Sequence, residues 1–91
     1  MILITYDLKN PGQKYQKLTE AIQALGPNLH CLLSTWLVET NLSPEQVTQN
    51  LIHHIDDNDR LLVVTFDRYT SWGWLTQSEW QWIHKTLGIR R

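Results

Sequence analysis

Carboxylates that close an apolar strand are the residues best placed to do chemistry, and two strands of this chain end that way. Ile2-Leu3-Ile4 is a continuous apolar run with β-branched character, and it leads through Thr5-Tyr6 to Asp7. Arg60-Leu61-Leu62-Val63-Val64-Thr65-Phe66 leads in the same manner to Asp67. Open sheets with helical crossovers take their ligands beyond the carboxyl ends of strands, which makes Asp7 the first candidate for a catalytic or metal-binding group. A hard divalent cation takes oxygen ligands and keeps several waters, so one or two carboxylates suffice when a phosphate completes the shell. Asp7 meets that requirement if a two-fold axis brings a second Asp7 beside it. The plainer alternative is an aspartate that forms a turn after a strand or caps a helix. That alternative applies equally to Asp67 and to Asp56, Asp57 and Asp59, whose spacing lacks the glycine and distal glutamate of a calcium loop.

Other chemistry has less to work with. His53 and His54 are adjacent and point to different helix faces, which is poor for a shared metal. His30 and His84 have no ligand partner at a readable spacing, Ser34 and Thr35 lack an activating base, and no nucleotide, zinc or hydrolase motif occurs. Cys31 is the one cysteine and lies in an apolar run, where a small buried hydrophobe in a reducing cytoplasm is expected. Four of the five tryptophans, Trp72, Trp74, Trp80 and Trp82, fall close together near the C-terminus. Aromatics of this kind stack nucleobases in single-strand binders, and they also close cores and dimer interfaces. Trp80 shares a helical spacing with Ile83 and Leu87 and reads as core. For Trp72 and Trp74 both readings stay open.

The elements that must position these residues are well signalled. Asn10-Pro11-Gly12-Gln13 offers an N-cap, a first-turn proline and a capping-box partner, and Tyr15, Leu18, Ile22 and Leu25 give the following helix one apolar face. Gly26 suits a left-handed helix end and Pro27 forbids continuation. Leu29 to Thr40 is strand territory, long for one strand, and Ser34-Thr35 divides it by a bulge or by a tight hairpin. One strand would give a β-α-β-α-β half-Rossmann, two a β-α-β-β-α-β ferredoxin-like sheet. Ser43, Pro44 and Gln46 open a second helix with a capping box, buried along Val47, Leu51 and Ile55 and widened by Ile52. After the strand from Arg60 to Phe66, a last short helix has its own box, Thr76 to Glu79, and stops at Gly88.

At 91 residues, 42% hydrophobic and 19% charged, the chain reads as one α+β domain, 1–91, with a core of about 1–67 and an extension over 68–91. No run approaches the ~20 apolar residues of a membrane span, and Met1 leads straight into a strand rather than a signal peptide. Eight Lys and Arg against nine Asp and Glu argue against a protein that coats nucleic acid, although a local basic patch remains possible.

The opening Ile2-Leu3-Ile4-Thr5-Tyr6-Asp7-Leu8, the central Leu33-Ser34-Thr35-Trp36-Leu37-Val38-Glu39 and Asp59-Arg60-Leu61-Leu62-Val63-Val64 come in the order found in the small ferredoxin-like CRISPR adaptation endonucleases. The chain most resembles their SinR-like branch, found outside CRISPR loci and akin to the virulence-associated toxin D ribonucleases. The resemblance covers about Met1 to Phe66. It implies a β-α-β-β-α-β sheet with two strands about Ser34-Thr35, and a homodimer formed through the sheets, with a C-terminal segment that crosses to the partner. Asp7 falls on the aspartate that ends the first strand in that family, which the resemblance implies would hold a divalent metal, Mg2+ or Mn2+, with its symmetry mate and so activate water against a phosphodiester. Ser34 or Thr35 falls near the family's hydroxyl position. The chain departs from the family in carrying Lys9, Lys14 and Lys17 where arginines commonly follow the aspartate, and its tryptophan-rich tail has no counterpart. The resemblance thus implies a cytoplasmic, nucleic-acid-associated homodimer of a defence or toxin-type system. As an endonuclease it would use Asp7, with Lys9 or Lys14 steering RNA or DNA. As a non-catalytic scaffold it would grip a partner through Trp72 and Trp74.

Overall fold

Alternation in the first strand decides how the chain folds. The computed structural model describes residues 1–10, 12–67 and 71–88, with Gln13 described for its backbone only. β1 (Ile2–Asp7) buries Ile2, Ile4 and Tyr6 on one face and turns Leu3, Thr5 and Asp7 to the other, as the two-residue period of a strand requires. α1 (Gly12–Gln23) follows, then the hairpin of β2 (Asn28–Leu32) and β3 (Thr35–Val38), then α2 (Pro44–Leu51), β4 (Arg60–Thr65) and α3 (Gln77–Leu87). The four strands form one antiparallel sheet in the order β2-β3-β1-β4, so β1 and β3 are central. Two helices, α1 and α2, cover one face, an arrangement consistent with a ferredoxin-like α+β fold.

On that face Ile2, Ile4, Tyr6, Trp36 and Val38 from the sheet meet Leu18 and Ile22 of α1 and Val47 and Leu51 of α2. Each fully buried aliphatic side chain contributes about 1.5–3 kcal/mol over its exposed state. The Trp36 indole N–H donates to the Tyr6 hydroxyl at 3.2 Å, and Tyr15 meets the Tyr6 ring edge-on at 6.4 Å, which ties α1 to the sheet. Burial raises the Tyr6 phenol above its usual pKa.

The division at Ser34-Thr35 takes both expected forms. Leu33 and Ser34 make the tight turn of a hairpin, and the β2–β3 register also shifts between His30 and Leu32. Gly26 has φ +153° rather than a helical left-handed value, because the backbone passes against β3: a Cβ there would collide with the Glu39 carbonyl. The capping box of Ser43 and Gln46 forms. The apolar stripe of α2 is narrower than expected, since the α-helix ends at Leu51 and a 3₁₀ turn (Ile52–His54) swings Ile52 outward, 42% exposed, while Ile55 packs on the core. α1 begins at Gly12, with φ +36°. The proposed role of Pro11 and of the Gln13 side chain in its cap lies outside the described residues.

The second face of the sheet is only partly covered, so β1 is not buried on both sides as its apolar run suggests. α3, with the Thr76–Glu79 box formed and Gly88 left-handed at its end, packs against β2 and buries Ile83. Leu37 is buried there too, whereas Leu62 and Val64 of β4, on the same face by register with Thr5 and Leu3, stay exposed. No described helix is long and apolar enough to cross a membrane.

Candidate functional site

Asp7 ends β1 opposite Arg60, the first residue of β4, and its carboxylate is exposed. By strand alternation it belongs to the partly open face, in line with Leu3 and Thr5, and across the sheet the Thr5 and Thr35 hydroxyls hydrogen-bond at 3.1 Å. Among the described residues no side-chain hydrogen bond or ion pair engages Asp7. The site is therefore a solvated carboxylate beside a guanidinium-bearing residue, at the carboxyl edge of a central strand.

The turn that follows is anchored from across the fold. The Lys9 backbone N–H donates to Asp59 Oδ1 at 2.9 Å. Asp59 Oδ2 accepts from the Asp56 backbone N–H and from Lys14 Nζ, each at 2.8 Å, and Lys14 Nζ also reaches Asp56 Oδ2 at 2.8 Å. The Asp59 side chain is fully buried, so a carboxylate is sustained there only by these donors. The Lys14 ammonium first, then the Asp56 and Lys9 amides, lower its pKa to about 2. Asp56 and then Asp59 raise that of Lys14. The acidic run reads in sequence as a solvated turn. At Asp59 it is instead a buried clasp that fastens the loop after Asp7 and the first turns of α1 to the approach of β4. An aspartate directly before an apolar strand was the available signal, but two of its three donors lie 45 and 50 residues away.

The remaining candidates are dispersed. The Lys9 side chain is exposed beside Asp7 in sequence, while the Lys14 ammonium is held by two carboxylates with its side chain 20% exposed. Ser34 sits in the hairpin turn, where its carbonyl accepts from the Tyr6 amide at 3.1 Å. His30 stacks on Trp36 with ring centroids 4.1 Å apart, and a ring nitrogen meets the Leu33 carbonyl at 2.9 Å. Asp67 is exposed, just past the end of β4.

Trp72 and Trp74 lie on the segment between β4 and α3, 97% and 99% exposed. That segment forms one wall of an apolar pocket of about 210 Å3 on the partly open sheet face, floored by Leu3 and Leu37 and flanked by Trp80. Cys31 and Thr35 also line it. Burial raises the Cys31 thiol pKa, in keeping with an unreactive side chain. Among the described residues no three His, Cys, Asp or Glu side chains cluster as a metal-binding group. Comparison with protein-family models, with curated proteins and with solved structures finds no match to the chain.

Proposed function

We propose that this is a nucleic-acid-associated, ferredoxin-like homodimer of the cytoplasm, of the SinR-like kind related to CRISPR adaptation endonucleases and toxin D ribonucleases. In this reading it acts as a metal-dependent phosphodiesterase. The observation that carries the proposal is Asp7: an exposed carboxylate without a side-chain partner among the described residues, at the end of a central strand, on the open sheet face. A structural turn or cap aspartate would use its oxygens, as Asp59 does.

In this reading Asp7 and the partner's Asp7 hold Mg2+ or Mn2+ between two copies. The ion, when bound, supplies a water of lowered pKa and neutralises charge on the phosphate. Arg60 and Lys9 provide positive charge next to the carboxylate. Lys14 serves mainly through the clasp, because reaching a phosphate would mean leaving Asp56 and Asp59. Labelled RNA and DNA, incubated with Mg2+ or Mn2+ or with EDTA, test the proposal alongside Asp7→Ala. Metal-dependent cutting should fall at least about a hundredfold in Asp7→Ala, with the fold unchanged because the side chain is exposed. Wild-type protein that cuts neither substrate, or an Asp7→Ala variant that cuts as well, would refute it.

A second reading is favoured by the exposure of Trp72 and Trp74. Two indoles left almost wholly in water suit a non-catalytic module that binds a partner through its aromatic segment. Asp7→Ala would then leave partner binding intact, and loss of both indoles would abolish it.

A further inference from the structure

We infer that the groove between α1 and the end of α2 binds a small zwitterion with an apolar tail, of the kind that an apolar L-α-amino acid presents. The groove lies on the helical side of the sheet, away from the face that carries Asp7. It stands apart from the function proposed above, so either can fail without the other.

Local structure makes the groove. On α1, Ala21 and Ala24 follow Lys17 at helical spacing, so one wall has small side chains in line with a cation. Opposite, α2 ends at Leu51 and the 3₁₀ turn packs against α1, which brings Asn50 and His54 to the second wall. Ala21, Leu25 and His54 are half-buried and give the groove its floor. Its volume is about 450 Å3, within the ~300–1,000 Å3 of small-molecule sites.

The chemistry of the walls selects the ligand. Lys17 and Glu20 lie three apart on α1, a spacing that puts Cβ atoms about 5–6 Å apart, yet no ion pair joins them. Among the described residues Lys17, Asn50 and His54 make no side-chain hydrogen bond or ion pair. Glu20 takes only the Gln16 side-chain amide, at 3.1 Å. Lys14, one turn earlier, is by contrast spent on Asp56 and Asp59. A ligand carboxylate suits the Lys17 ammonium, the Asn50 amide and an imidazole N–H of His54. An ammonium on the adjacent carbon suits Glu20, and a hydrocarbon tail lies along Ala21, Ala24 and Leu25. A simple anion would meet the Glu20 charge uncompensated, and a simple cation would meet Lys17. The α-amino acid answers both.

The test is a titration of the full chain with L-phenylalanine, followed residue by residue through backbone amide shifts in proton–nitrogen NMR. Saturable shifts should be confined to residues 17–25 and 50–54, with a Kd of about 1 mM for so open a site. Hydrocinnamate lacks the ammonium, phenethylamine the carboxylate and glycine the tail, and each should bind at least about tenfold more weakly. Lys17→Ala and Glu20→Gln, both at exposed positions, should each weaken L-phenylalanine at least about tenfold. Ala24→Leu, also at an exposed position, fills the groove and leaves its charges, and it should abolish binding. Circular dichroism of all three should stay that of wild type. The absence of saturable shifts overturns the inference, as do shifts that map to the open sheet face. Hydrocinnamate that binds as well as L-phenylalanine overturns it too, and so does binding that none of the variants weakens. The ligand series needs only wild type, so it decides even where a variant fails to fold. None of these outcomes touches the Asp7 reading, whose readout is cleavage.

Discussion

Asp59 satisfies three donors with two oxygens: one, the Asp56 amide, closes its own turn before β4, and the other two tie that turn to the turn after β1 and the first turn of α1. Its carboxylate pKa of about 2 lies below the ordinary 3.8, so its contribution to stability is present above about pH 4 and is lost as pH falls through about 2. The Lys14 contribution has the opposite sense: it is present below the ordinary lysine range and fades as pH rises through the raised value. Asp59→Asn keeps the shape and removes the charge. Its melting temperature should fall below wild type at pH 7, and the two curves should converge as pH approaches 2. Thermal denaturation across pH checks this, and equal melting temperatures at pH 7 would show that the clasp works through shape alone. The exposed Asp7, two residues before the anchored Lys9 amide, is held from behind by this clasp without being touched by it.

At the scale of elements, what depends on near neighbours was legible and what depends on distant ones was not. The boxes at Ser43–Gln46 and Thr76–Glu79 join residues three apart, so the sequence shows both ends of each bond, and both form. The halves of the Leu29–Thr40 region were visible, but the hairpin is fixed by β3 pairing with β1. The end of β1 at Asp7 could be read from the apolar run, whereas the partial cover of its second face depends on where α3 docks. That docking gives a prediction. Thr76 accepts from the Glu79 amide at 3.2 Å, and Glu79 Oε1 accepts from the Thr76 amide at 2.9 Å. Thr76→Ala should cost about 1 kcal/mol, located in α3. Hydrogen exchange should speed up across α3 and stay slow in β1, and uniform acceleration would mean that α3 and the sheet open together.

At the scale of the molecule, the sheet is a two-sided object with unequal cover. One side is sealed by α1 and α2, and the other carries α3 over β2 while leaving the β4 side bare. A chain ended after Asp67 should keep the sealed side, because none of that core comes from α3. It should lose the cover of Leu37 and gain a broad apolar surface. Strong binding of a hydrophobic dye and a fall in solubility are expected, with helix and strand signals retained. A truncated chain as soluble and dye-silent as the full one would show that α3 contributes little shielding.

The central position of β1 also bears on how the chain is made. Its strongly apolar Ile2-Leu3-Ile4 is synthesised before both of its hydrogen-bonding partners, β3 and β4, and Ile2 pairs with Thr65. The segment must therefore wait, unpaired and sticky, until β4 has been synthesised. Pairings of such long sequence separation close slowly, and unpaired apolar strands aggregate in the interval. A chaperone that holds β1 until β4 is made should accordingly raise the yield of folded protein, as soluble expression with and without it would show.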